Sequence, residues 1–275
     1  MPVKRFAKDY VRVELGKIGS TLGRRITVFL LGGCCMTFRD LKDATKDVDM
    51  VLTSPEDIVD VVDALKSLEY SEIKELPEEY EHLGSSAVLR NKNGFQLDLF
   101  LGQVCGGLEI SEMMMGRAEF LRSYGNLVVY LMAPEDIFFF KSITEREADL
   151  LDMRTLVEAG LNWDIIKEEC RLQAKRGIWE AFLLERLMDL KERYGIVAPI
   201  MGELRKIAGD ELAKNLITGI IKDGNDTFDK IAGVVKKRFK YSGPWTRREL
   251  KKLEDAEVIQ VEKKRRKYRY RLRQP

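Results

Sequence analysis

The sequence is short of the residues that imidazole and thiolate chemistry requires. It has one histidine, His82, and four cysteines, Cys34, Cys35, Cys105 and Cys170, with no C-x-x-C pair. These cannot complete a usual zinc set, and they suggest no disulfide framework. The cysteines are expected to be reduced and mostly buried, as in a cytoplasmic protein. Long apolar runs are missing too. The longest, Val28 to Met36, falls far short of the roughly 20 residues needed to span a bilayer, so no membrane partner is expected. Met1-Pro2-Val3-Lys4-Arg5 lacks the apolar core of a signal peptide. No internal repeat and no low-complexity segment is visible.

What is present is an ordinary globular composition. Of 275 residues, 45% are hydrophobic and 33% charged, enough for one large domain or two to three small ones. The net charge of +2 conceals an asymmetry. From Lys236 to Pro275 there are sixteen Lys or Arg against five Asp or Glu, a local +11 that leaves −9 on the residues before it. An acidic body can hold a cation, and a basic tail meets a polyanion.

The most informative stretch runs from Ile26 to Leu52. Ile26 to Leu31 reads as a short buried strand ended by Gly32-Gly33. A brief helix follows, Cys34 to Leu41, and then a strand, Thr45-Lys46-Asp47-Val48-Asp49-Met50-Val51-Leu52. Strand side chains alternate, so Asp47 and Asp49 share one face about 7 Å apart, while Val48 and Met50 share the other. A third acid, Asp98, sits in the apolar strand Phe95 to Leu101. That strand follows the strand Ser86 to Arg90 and the hairpin turn Asn91-Lys92-Asn93-Gly94. Carboxylates in apolar strands are expensive unless a cation compensates them, and oxygen donors of this kind suit Mg²⁺.

Elsewhere the periodicity predicts helices over residues 8–22 and from Pro55 onward, where Ser54 caps and Pro55-Glu56-Asp57 opens the first turn. A strand pair is expected around Tyr124-Gly125. One helix is expected from Pro134 to Asp152, with Lys141, Glu145, Asp149 and Asp152 along one face. An ion-paired surface would account for that face as well as a binding site would. His82, among Glu78, Glu79 and Glu81, reads as a surface residue.

Strand, Gly-Gly, helix, D-x-D strand and a later strand with one Asp: over roughly residues 20–155 this combination resembles the DNA polymerase β-like nucleotidyltransferases. The wording Thr45-Lys46-Asp47-Val48-Asp49 is most similar to their minimal and abortive-infection toxin-like members. The resemblance implies an α+β fold with a small mixed sheet flanked by helices, a nucleoside triphosphate as substrate and two Mg²⁺ ions. It implies that Asp47, Asp49 and Asp98 are the catalytic and metal-binding residues, Asp98 at the nucleophile. Gly32 and Gly33 would admit the phosphates, Lys46 or Lys141 would touch the triphosphate, and Thr45 would be a lesser polar contact. The sequence departs from that pattern in having Cys34, a weak donor, where the family usually has a Ser or Thr.

Residues 156–207 read as a helical connector. After it, helices over Asp210 to Lys222, Thr227 to Phe239 and Thr246 to Glu257 precede two strands, Val258 to Glu262 and Lys267 to Leu272, joined by Lys263-Lys264-Arg265-Arg266. Over about residues 208–275 this resembles a winged helix-turn-helix module, with Glu257 where such modules usually have a glycine. Arg247, Arg248, Lys251, Lys263, Lys264, Arg265 and Arg266 are its candidate nucleic-acid contacts, to RNA or DNA.

The domains expected are therefore 1–155 (nucleotidyltransferase), 156–207 (connector) and 208–275 (winged helix-like). The function expected is metal-dependent nucleotide transfer to an acceptor hydroxyl, on a nucleic-acid end or a protein, with RNA, including tRNA, preferred. Two alternatives stay open: a DNA-binding regulator with a catalytically silent, nucleotide-sensing domain and, more distantly, a small-molecule transferase, which would not need the basic tail.

Overall fold

The computed structural model describes residues 4–73, 84–105, 107–144, 146–173, 178–239, 241–264 and 267–273. His82 with its acidic neighbours, Glu145, Arg265 and Arg266 lie outside the described residues. The chain divides into two compact units, Met1–Glu169 and Cys170–Pro275, so the stretch expected as a connector is shared between them.

The first unit contains, in order, β1 (Phe6–Ala7), α1 (Lys8–Thr21), β2 (Ile26–Leu31), α2 (Gly32–Phe38), β3 (Ala44–Thr45), β4 (Asp47–Leu52), α3 (Pro55–Ser67), β5 (Ser71–Glu72), β6 (Ala87–Arg90), β7 (Gln96–Leu101), β8 (Gln103–Val104), β9 (Leu108–Glu109), α4 (Glu112–Arg117), β10 (Glu119–Tyr124), β11 (Leu127–Leu131), α5 (Pro134–Ile143) and α6 (Glu147–Ala159). Then α7 (Trp163–Leu172) runs across the division. Seven strands form one mixed sheet in the order β10-β11-β2-β4-β7-β6-β5. The central strand β4 runs antiparallel to β2 and parallel to β7. The architecture is α+β.

Alternation decides which side chains the sheet hides. Val48 and Met50 on β4, with Leu97 and Leu99 on β7, are fully buried on one face. Each such side chain contributes about 1.5–3 kcal/mol to burial. Helix α3 starts where the capping rule places it, with the Ser54 hydroxyl accepting from the Asp57 amide at 3.4 Å. Gly19 in α1 is required by a close approach: a Cβ there would lie 1.5 Å from the carbonyl oxygen of Tyr124. Both α1 and α3 pack against the sheet.

The single helix expected from Pro134 to Asp152 is two helices. Backbone at Thr144 and Arg146 is extended, so α5 ends at Ile143 and α6 restarts at Glu147. The chain turns between them, which lets Lys141 of α5 meet Asp149 and Asp152 of α6 directly.

The second unit contains α8 (Ile178–Tyr194), α9 (Met201–Lys222), α10 (Phe228–Val234) running into a π-helical turn (Val235–Phe239), α11 (Gly243–Asp255) and the hairpin β12 (Ile259–Lys264) and β13 (Lys267–Leu272). Gly209, with φ of 36°, interrupts α9, so the helix expected from Asp210 is its second half. Leu216, Ile217, Ile231, Leu250, Leu253 and Ile259 are buried here. Ser242 caps α11 through the Trp245 amide. The hairpin strands pair through Lys264↔Lys267, so Lys263 and Lys264 belong to a strand and not to the expected four-residue loop. An isolated antiparallel bridge joins Thr227 to Arg269.

Candidate functional site

The mixed register brings the three aspartates together. Parallel pairing of β4 with β7 sets Asp49 opposite Asp98, and Asp47 lies two residues away on the same face, opposite Gln96. Asp47 and Asp98 are buried and Asp49 is half-buried. They line a cleft of about 260 Å³ together with Gly32, Gly33, Thr45, Lys46, Lys141 and Arg146. Every residue expected at the nucleotide and metal positions thus borders one cleft.

Like charges held this close suppress one another's ionisation. Burial, then the charges of Asp47 and Asp98, push the Asp49 carboxyl well above the ordinary carboxylate range, and Arg146 and Lys141 only partly oppose this. Burial, then Asp47, push the Asp98 carboxyl up to about 7, against the hydrogen bond from Gln96. That bond runs 2.7 Å from Gln96 Nε2 to Asp98 Oδ1, and Arg90 in turn donates to Gln96 Oε1 at 2.6 Å. Lys46 Nζ lies 3.3 Å from Asp47 Oδ2.

Gly32 is required at its position for two reasons. Its φ of 66° favours glycine, and a Cβ there would stand 2.0 Å from Asp49 Oδ2. At Gly33 a Cβ would come within 3.2 Å of Thr45 Oγ1. The Thr45 hydroxyl is already committed, donating to the Asp47 carbonyl at 2.8 Å. Cys34 and Thr37 are buried, and Thr37 donates to the Gly33 carbonyl at 3.0 Å. Burial raises the Cys34 thiol well above its usual range.

Beside the aspartates stands an ionic network of three cations and two carboxylates. Lys141 Nζ reaches Asp149 Oδ1 and Asp152 Oδ2, each at 2.7 Å. Lys42 reaches Asp152 at 2.8 Å, Arg146 reaches Asp149 at 2.7 Å, and the Thr144 hydroxyl donates to Asp149 at 2.6 Å. Burial alone would raise the Asp149 carboxyl, but Lys141 and Arg146 hold it below the ordinary carboxylate range.

Sequence reasoning missed Lys42, Arg146, Thr144 and Gln96. Thr144-Glu145-Arg146-Glu147 matches the T-x-x-E pattern of a helix start, a signal near the break, although the helix begins at Glu147 with no side-chain cap. No comparable signal marks Lys42, whose partner lies 110 residues away.

As they stand, no three His, Cys, Asp or Glu side chains among the described residues form a ready-made metal-binding group. The donor chemistry of Asp47, Asp49 and Asp98 nevertheless fits a hard divalent cation: all three offer carboxylate oxygens, and burial with the neighbouring acids makes Asp49 and Asp98 hard to ionise without one. To bind one, Asp98 would exchange Gln96 and Asp47 would exchange Lys46.

In the second unit, the expected nucleic-acid residues are exposed but engaged. Arg247 sits 4.9 Å above the Phe228 ring, and Arg248 pairs with Glu249 at 2.8 Å. Lys251 pairs with Asp255 at 2.9 Å and Glu254 at 3.2 Å, and Lys263 stands 5.9 Å from the Tyr268 ring centroid. The Lys264 side chain lies outside the described set, as do Arg265 and Arg266. Glu257 has a φ of 58°, the left-handed conformation that a glycine would adopt freely.

Among the described residues no helix is long and apolar enough to cross a membrane. No protein-family model matches the chain, and no curated protein sequence matches it.

Proposed function

We propose that the first unit is a nucleotidyltransferase domain that transfers a nucleotide from a nucleoside triphosphate to an acceptor hydroxyl, with RNA, tRNA included, as the preferred acceptor. The observation that carries this reading is the meeting of Asp47, Asp49 and Asp98 on one sheet face at a cleft that also receives Lys141 and Arg146. In such a transfer the acceptor oxygen bonds to the α-phosphorus, the bond to the β-phosphate oxygen breaks, and pyrophosphate leaves.

Asp47, Asp49 and Asp98 would hold divalent cations, Mg²⁺ by donor type, which when bound supply charge neutralisation at the phosphates. The chain's own residues do the remaining work. Asp98 takes the hydroxyl proton. Lys141 and Arg146 face the triphosphate, oriented by Asp149 and Asp152. Gly32, without a side chain, leaves Asp49 open to the cleft. In the second unit, three helices followed by a basic hairpin support a winged helix module that recruits the nucleic acid.

The test is incubation with each labelled triphosphate, Mg²⁺ and total RNA, beside the Asp47→Ala, Asp49→Ala double variant. Label transfer lost in the variant is the expected result. Absence of transfer, together with salt-sensitive duplex DNA binding that survives the variant, would favour a nucleotide-sensing regulator instead.

A further inference from the structure

The carboxylate cleft is lined by cations of two kinds. Lys42, Lys141 and Arg146 are tied to Asp149 and Asp152, as described above. An anion entering beside them must compete with those carboxylates. Arg5 is different. It is exposed, borders the same cleft, and forms no ion pair or hydrogen bond among the described residues.

The first strand delivers Arg5 to this place. β1 pairs with β3 in antiparallel register, Phe6↔Thr45 and Ala7↔Ala44. The ladder ends there: Arg5 just before it and Lys46, in the bend that leads into the D-x-D strand, both border the cleft. The anchor is firm: Phe6 is buried, with its ring 4.9 Å from Phe95 and 4.7 Å from Tyr10. Two cations bordering one cleft concentrate positive charge where a phosphate can enter. Lys46 leans towards Asp47 at 3.3 Å, which leaves Arg5 to meet whatever enters.

We infer that Arg5, with Lys46 on the same cleft, forms a phosphate-binding subsite for the acceptor, and that the acceptor is therefore a nucleic-acid strand and not a protein hydroxyl. The inference rests on the transferase reading. A transfer between two substrates needs a second anion position besides the triphosphate's, and the β1–β3 ladder supplies one on the same cleft. Its cation is available without breaking an existing pair. A phosphodiester group held by Arg5 would place the adjoining nucleotide at the mouth of the cleft, with Lys46 as a second cation once Asp47 releases it. Guanidinium suits this role, because its planar fork matches phosphate oxygens.

The experiment compares wild type, Arg5→Ala and Arg5→Lys as full chains. Equilibrium binding of a labelled single-stranded oligoribonucleotide is measured over a salt series without triphosphate. KM is then measured separately for triphosphate and for acceptor RNA. Arg5→Ala is expected to weaken oligonucleotide binding and raise the acceptor KM about fivefold to tenfold. It should also reduce the slope of log affinity against log salt by about one, the mark of one lost phosphate contact. Arg5→Lys should recover most of the affinity and the slope, and the triphosphate KM should stay within about twofold.

Unchanged oligonucleotide binding in Arg5→Ala overturns the inference, as does a wild type that binds no oligonucleotide. A rise in the triphosphate KM alone also overturns it, by reassigning Arg5 to the other substrate. Failure of the transferase reading looks different. In that case wild type transfers no label to any acceptor, and the binding series still decides whether Arg5 holds phosphate.

Discussion

Two clusters of like charge stand in this chain, and they are held in opposite ways. In the first unit, Asp47, Asp49 and Asp98 sit together on the sheet, and Asp49 and Asp98 ionise with difficulty because burial and the neighbouring acids outweigh the cations nearby. In the second, the basic residues of α11 and the hairpin are exposed and laced with acids: Arg248 and Lys252 with Glu249, Arg269 with Asp226, Arg271 with Glu262, Arg273 with Glu257. Exposed pairs of this kind are each worth little. Clustering of charge is therefore a poor guide by itself. A buried, uncompensated group stores free energy that a ligand can release, whereas a solvated, compensated one chiefly sets a long-range field.

The comparison is tested hardest by separating charge from shape. Asp49→Asn should lower nucleotide transfer by about a thousandfold or more, roughly 4 kcal/mol in the barrier. In EDTA at pH 8 the same variant should melt higher than wild type, because it removes repulsion. A variant that loses both activity and stability would contradict the uncompensated-charge description.

Next comes the compensated network in the same cleft. Lys141→Met takes one of two cations from each of the buried Asp149 and Asp152, leaving them Arg146 and Lys42, and urea unfolding should show a loss of up to about 3 kcal/mol. Lys251→Ala, whose pairs are exposed, should leave the urea midpoint unchanged. Equal effects of the two would erase the distinction between the clusters.

The pH dependence sharpens the point. With the Asp98 carboxyl pushed up to about 7, the folded chain keeps a proton that the unfolded chain releases near 4, its ordinary value. The stabilising contribution is complete below about pH 4 and is lost as pH rises towards 7. In EDTA, the melting temperature should fall between pH 5 and pH 8 by more than it does in Asp98→Asn. Added Mg²⁺ at pH 8 should restore it in wild type only.

The smallest effect lies in the basic module. Glu257→Gly removes a left-handed non-glycine residue and should stabilise the chain by about 1 kcal/mol, less the exposed pair with Arg273 at 3.0 Å. Differential scanning calorimetry can read this. A destabilised variant would mean that the pair outweighs the backbone.

Much of this arrangement is legible in the sequence. The alternation around Asp47 and Asp49, the hairpin turn before Asp98 and the Ser54-Pro55 helix start are local signals, and each element forms close to where it was expected. What stayed hidden is what distant residues do to one another. Lys42 finds Asp152, and β1 finds β3, through the folded sheet and not through any spacing in the chain. The helix break at Thr144 and Arg146 carries no glycine or proline, so the apolar and charged periodicity ran on through it. In the hairpin, a run of four basic residues resembles a loop by composition, yet pairing continues through Lys264 and Lys267.

The ladder between β4 and β7 ties the chemistry of the cleft to the soundness of the interior. Because the side-chain period is two, a slip of one residue would carry Asp47 and Asp49 into the apolar layer and push Val48 and Met50 out into water. No half-assembled version of the acidic triad is compatible with an intact core. The molecule thereby proofreads its own assembly: a misaligned sheet betrays itself as an unstable chain, and a chain that has reached its fold already carries its three acids in place.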